Sequence, residues 1–505
     1  MRWLRSVGLL GILAIAGCSG GGTSSGGGGG FSNSGNNNNN GSSPPAPTLT
    51  TLNFSVPLFN STKQATLIRR NMPNSETGSS NTIISTSANK ADLNETPGRD
   101  LPPEIIARQL AELNEPSTRN RALIQPRFQD LTDFNFFIAT NNQTVTCRKV
   151  LANNQTQHCT IFAQVVGNTP IVSETIAQQI ADTWDAPISG IYAKDRDVFG
   201  SEWTNGGGRD GDDKVVLVFL NNTGVGGSQY FGFTSPADVG TGPSSNQGEI
   251  LYINFDKFGA DGFDVYSTLA HEFQHLIALN TKLVRQGNFG GQIENSAIDE
   301  GKAVLAEELA GYGLESPLGG NSFTFQACRA FLLNPDAQGL FQFNGNLDSY
   351  GRDYVFMRYL LDQKGLADFR NYAQSSGTGL AQLNASFGSM SNLFTDWTNA
   401  LLASPLNGSV PSNLRFTGPF NPGRTYSIRT AGGGTQMQLM PTVTPGQTVT
   451  PPQGTQTVNL GAWAFSTVLY KNGTGNTLNV QVQGLSTQGA SMVVENPTGT
   501  FGGVQ

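Results

Sequence analysis

Histidine is close to absent from this chain: three occur in 505 residues. Cysteine is nearly as scarce, with four, and charged side chains make up only 13%. Four cysteines are too few for the dense disulfide framework that replaces a hydrophobic core in small secreted domains. The 30 Lys and Arg are outnumbered by 37 Asp and Glu, for a net charge of −7. No basic cluster stands out either, so nucleic acid is not expected as a partner. Gly, Asn, Ser and Thr abound instead, as in many exported β-rich proteins.

Against that scarcity, two of the three histidines fall within five residues of each other. Residues 269–279 read LAHEFQHLIAL, an H-E-x-x-H pattern of His271, Glu272 and His275. On an α-helix, residues four apart share a face, one turn from each other. Both imidazoles can therefore reach one metal ion, with Glu272 beside it. A hydrolytic zinc site needs two neutral nitrogen ligands and a carboxylate that accepts a proton from the attacking water. The competing reading is a solvated helix face. Leu269, Ala270, Phe273, Leu276 and Ile277 argue against it, because they make the segment apolar, as a buried site helix should be. One catalytic Zn2+ is the expected cofactor.

The chain begins MRWLRSVGLLGILAIAGC. Arg2 and Arg5 form a basic start, and residues 7–16 an apolar stretch too short to span a bilayer. The closing IAGC resembles the lipobox of bacterial lipoproteins. That resemblance implies a signal peptide at 1–17 and lipid on Cys18, which would tie the chain to a membrane. Ser19, rather than aspartate, follows the cysteine, which favours an outer-membrane or cell-surface location. Residues 18–49 are nearly all Gly, Ser, Asn, Pro and Thr and read as a disordered tether.

The rest is long enough for more than one domain. Residues 50–125 are weakly patterned, with a strand-like stretch at 52–58 and a helical one at 103–113; they are a candidate propeptide or β region. Residues 126–405 read as a mixed domain. FNFFIAT, QTVTCRKVL and HCTIFAQVV alternate as strands, and KVVLVFL is a continuous apolar run suited to a central strand. Between them VSETIAQQIADTWDAPISGIY reads as one helix capped by Ser173. EILYINFD is a further strand before the HEFQH helix, which Asp264 is placed to cap. Cys147 and Cys159 flank a short segment and are expected to pair as a disulfide in an oxidising compartment. Cys328 is expected to be buried, and His158 to be structural. NGGGRDGDDK, with Asp210, Asp212 and Asp213, could hold calcium, but it lacks the length and closing Glu of an EF-hand loop and reads better as a turn. Residues 406–505 alternate short β runs with Gly, Pro and Thr turns, a sandwich-like module with no catalytic cluster.

A catalytic zinc usually has three protein ligands. No histidine follows His275, so the third must be a carboxylate, and ENSAIDEGKAVLAEELAGYG at 294–313 offers several. Ser296 and Asp299 have the spacing of a capping box there. The sequence D-E-G-x-A resembles the gluzincin motif whose Glu is the third ligand, which implies Glu300. Glu307 and Glu308, two turns on, are candidates to orient a ligand histidine.

HEFQH paired with DEG, together with FGSEW, DGDDKVVLVFL, SNQGEILYIN and DSYGRDYVFMRYLLD, resembles the hyicolysin family of bacterial zinc metallopeptidases over roughly residues 130–370. The resemblance implies an α+β, zincin-like metallopeptidase domain with endopeptidase activity. It also implies a tyrosine that stabilises the oxyanion, with Tyr350 in the matching position and Tyr354 the second choice. SAID before Glu300 departs from the family, which tends to carry an aromatic residue there. The strand EILYIN is the candidate edge for pairing with an extended substrate. Oligomeric state is not legible.

Overall fold

The computed structural model describes residues 49–76, 101–114 and 128–505, apart from isolated positions and short internal segments, the longest being 287–292, 441–446, 450–459 and 472–477. The expected signal peptide, Cys18 and tether lie outside the described residues. Among the described residues no helix is long and apolar enough to cross a membrane.

VVLVFL forms the strand Val215–Leu220, buried along its whole length between parallel neighbours Cys159–Val166 and Ile250–Asn254. A strand covered on both faces needs apolar residues at every position, which is what the run supplies. The sheet continues outward through Gln143–Lys149 to Asp133–Ile138 on one side. On the other, Gly232–Thr234 pairs antiparallel with Ile250–Asn254. EILYIN is therefore an inner strand, and the edge belongs to the three-residue GFT. One sheet face, with Leu217, Phe219, Leu251 and Ile253, packs against the helices. The other, with Phe136, Phe162, Val218 and Tyr252, packs against Phe128.

That division of faces overturns the expected disulfide. Cys147 sits in the second core and Cys159 in the first, and both thiols are free and buried. Cys147 stands opposite Gln164, so Cys159 lies five residues, roughly 17 Å, further along the strand. No disulfide spans that distance. Burial pushes both thiols up. Cys328 is buried as well. His158 Nδ1 donates to Asp185 Oδ1 at 3.1 Å, and the ring stacks on Tyr192.

The expected long helix at 172–192 is two helices, Glu174–Asp185 and Ile191–Phe199. Ser173 caps the first through Ile176 N–H, and Pro187 excludes helical geometry from the residue before it. DSYGRDYVFMRYLLD lies in the longer helix Leu347–Ala373, interrupted at Gly365, where φ is +79°.

The C-terminal strands are joined by N-terminal ones, around a core that includes Val56, Leu67, Val468 and Met492. Strand Gln64–Asn71 lies between Phe465–Tyr470 and Gln488–Glu495, and Leu49–Val56 pairs with Leu478–Leu485. Residues 49–71 are thus built into the C-terminal sheets. Arg70 crosses from this sheet to the helix Met390–Ala403, where it binds Thr398 Oγ1 and Asn399 Oδ1. Phe465 and Val493 share the main core with Phe394 and Trp397, so helices and C-terminal strands belong to one compact unit.

Candidate metal centre

The HEFQH helix spans Phe263–Leu279 and is buried on nearly every side. Gly262, in the left-handed region at φ +68°, is its N-cap; Asp264 lies inside the first turn, where its carbonyl accepts from Ser267 and Thr268. Next to it runs Ser296–Ala310, capped by Asn295 through Ala297 N–H and not by Ser296. Gly301 explains the glycine of DEG. A Cβ there would stand 2.6 Å from the Asp353 carbonyl, so only glycine lets this helix lie against Leu347–Ala373 with Glu300 facing the histidines.

His271, His275 and Glu300 each offer one ligand atom, and these atoms lie within 4.8 Å of one another. Glu300 Oε2 is 3.3 Å from His271 Nε2 and 3.6 Å from His275 Nε2. It is buried yet accepts no hydrogen bond, an arrangement costly for a carboxylate unless a cation is shared. Two nitrogens and a carboxylate oxygen converging on one point are the donor set zinc takes. The residues fit that ion.

The opposite ring nitrogens are held by carboxylates. His271 Nδ1 meets Glu307 Oε1 at 2.8 Å, and Glu307 Oε2 accepts from Asn321 Nδ2 at 3.0 Å. His275 Nδ1 meets Asp299 Oδ2 at 2.9 Å. An ionised carboxylate only accepts, so each Nδ1 carries the proton and each Nε2 presents its lone pair. Asp299 is therefore the partner of His275 and not a helix cap. Sequence reasoning missed this because its position also satisfies a capping box. Burial alone would depress the His275 imidazole, but the charges of Asp299 and Glu300 lift it well above its ordinary value. Burial would raise Asp299, but the facing imidazole and Lys302 hold it down at about 2. Glu308 does something else: it accepts from the Tyr354 hydroxyl and from Arg358 Nη1.

Glu272 and His275 line a cleft, with Glu300 and Asp299 beside them. Its walls are apolar at Leu101, Ile106 and Ala278 and charged at Lys282 and Glu294. Lys282 is pushed down to about 8 by burial and by the neighbouring Lys302 charge. Thr234, from the edge strand, donates to the Glu272 carbonyl at 2.9 Å and lies 3.4 Å from its Oε2. No motif announced Thr234. Tyr350 is buried, its ring against Phe323 and Phe343. Tyr354 is turned to Glu308.

No family model matches the chain. Over 258 residues it is 24% identical to the neutral metalloprotease ShpI of Staphylococcus hyicus, a distant homology. The match covers 49% of this chain and 55% of that protein, so the chain spans about half of its relative's length. Among solved structures, an M1 zinc metallopeptidase of Deinococcus radiodurans, bound to a Tyr-Ser-Ala substrate, aligns over 48% of each chain at 12% identity. Its TM-score of 0.26 is too low to carry any argument.

Proposed function

We propose that this chain is a zinc-dependent endopeptidase of the gluzincin type, acting outside the cytoplasm from a lipid anchor on Cys18. The observation that carries the reading is the convergence of His271 Nε2, His275 Nε2 and Glu300 Oε2 beside Glu272 in one cleft. When bound, zinc supplies a Lewis acid that polarises the scissile carbonyl and acidifies water. His271, His275 and Glu300 would hold it, with Glu307 and Asp299 keeping both imidazoles in the ligating tautomer. Glu272 accepts the proton of the attacking water and returns it to the leaving amine. Thr234 keeps the Glu272 carboxylate at the cleft. The edge strand Gly232–Thr234 takes the backbone of an extended peptide by strand addition, the place first expected of EILYIN. Tyr350, its ring against Phe323 and Phe343, is the candidate donor to the oxyanion.

Cleavage of unfolded casein by the full chain, beside Glu272→Gln, tests the reading. The parent cleaves, and the variant loses about 10²–10⁴-fold in rate with its zinc content intact. Equal rates in the two proteins would refute Glu272 as the base, and a zinc-loaded parent that cleaves nothing would refute the peptidase itself.

A further inference from the structure

The loop between helix Ile191–Phe199 and strand Val215–Leu220 carries GRDGDDK at 208–214. Its acids turn inward: Asp210 is 0% and Asp212 6% exposed, while Asp213 faces solvent. Glu249, at the foot of strand Ile250–Asn254, joins them at 2% exposure. Part of this negative charge is answered by backbone. Asp210 Oδ1 accepts from Asp212 N–H, Asp212 Oδ1 from Lys214 N–H, and Glu249 Oε1 from Arg209 N–H, at 3.1, 2.8 and 2.7 Å. Those bonds use one oxygen of each carboxylate. The second oxygens of Asp210 and Asp212 are buried and accept no hydrogen bond, and Asp212 lines a pocket together with Glu249 and Gly208.

One oxygen from each of the three residues also converges on Gly208. Around the point where a Cβ would sit on it, the Asp212 carbonyl oxygen lies at 2.2 Å, Glu249 Oε2 at 2.8 Å and Asp210 Oδ1 at 3.2 Å. With φ at +53° and no side chain, the glycine leaves that space open. Nearby cations are engaged elsewhere. Lys214 Nζ is held by the carbonyls of Asn153 and Thr156, and Arg196 by Tyr192, Ser201 and Glu202. The Arg209 guanidinium feels the charge of Glu249, which leaves one positive group against three buried carboxylates. Burial and the facing acids push Asp210 up to about 7 and Glu249 up to about 8.

We propose that this cluster is a structural calcium site, with Asp210, Asp212 and Glu249 and the Asp212 carbonyl as oxygen donors. The side chains alone do not close a compact set of three, as they do at His271, His275 and Glu300, so backbone oxygen and water complete the shell. An irregular shell of carboxylates and carbonyls suits Ca2+ better than Zn2+, which favours nitrogen and sulfur, or Mg2+, which demands a near-ideal octahedron. The ion ties the loop to the central sheet. Helix Ile191–Phe199, at the other end of the loop, stacks Tyr192 on Phe273 of the HEFQH helix at 5.5 Å, so the metal centre is braced by the same order.

Tyr192 and Trp203 line this pocket and are built-in sensitisers for a lanthanide probe. The full chain, stripped with EDTA, is titrated with Tb3+ and then with Ca2+. Sensitised emission that saturates and is displaced by Ca2+ is expected, and it persists in Glu300→Ala. Asp212→Asn and Glu249→Gln each weaken Tb3+ binding at least about tenfold, since carboxylate count sets affinity at such sites. Neither variant is less stable than the parent in EDTA, because each removes a repelling charge; added Ca2+ raises the parent's Tm and not theirs. No saturable emission overturns the site, as does emission unchanged in both loop variants. Emission lost in Glu300→Ala alone overturns it too, by placing the ion at the histidines.

Discussion

Beside the HEFQH helix Glu300, Glu307 and Asp299 face nitrogen, whereas in the loop at 208–213 carboxylates face one another. Glu300 meets two imidazoles, Glu307 a third ring nitrogen and an amide, Asp299 a fourth nitrogen and Lys302. Asp210, Asp212 and Glu249 meet backbone N–H groups and each other's charge. The two clusters respond oppositely: Asp299, its side chain 25% exposed, is held down at about 2, while the fully buried Asp210 rises to about 7. Burial pushes both upward, so the partner decides the sign. A nitrogen-lined cluster selects a borderline-soft ion, and an oxygen-lined one selects a hard ion.

The comparison breaks most sharply at Glu300. Glu300→Ala should lose its zinc on dialysis, while Glu249→Gln should keep it; metal content by atomic emission separates the two. Zinc retained in the first variant would mean another carboxylate is the ligand.

A smaller effect is expected one bond further out. Glu307→Gln and Asp299→Asn should each loosen zinc by about 10–100-fold, because the imidazole loses its charged partner. Competition with a zinc chelator measures this. The same exchange at Asp213, which is exposed, should change nothing.

The smallest effect concerns pH, with calcium absent. Asp210 and Glu249 are raised in the folded state to about 7 and about 8, from unfolded values near 4. The folded protein then binds more protons than the unfolded one across that window, so stability falls as pH rises from about 4 to 8. Asp212, Glu202 and Arg209 are the other charges facing these two. The Tm should decline by a few °C over the window, about what one or two kcal/mol gives in a large domain. Asp210→Asn should flatten the decline, and a slope unchanged in that variant would assign it elsewhere.

How much of this was legible beforehand follows how local each signal is. The HEFQH helix and the VVLVFL strand were readable because periodicity is a property of adjacent residues. Glu300 was readable only through a resemblance, since spacing left several carboxylates open. The partner role of Asp299 was hidden behind a capping pattern, and Thr234 sits on a strand of three residues, too short for any pattern. The disulfide expectation failed for the same reason in reverse. Twelve positions apart looked close along the chain, but antiparallel pairing set Cys147 and Cys159 in different cores.

By itself the sequence determined which helix carries two imidazoles on one face, and which runs are buried strands, because side-chain direction repeats every 3.6 or every 2 residues. Only the tertiary structure decided which carboxylate each histidine meets, which strand is the edge and that residues 49–71 close the C-terminal sheets. Those outcomes depend on groups tens to hundreds of residues apart, whose meeting is set by packing and by the burial of polar groups.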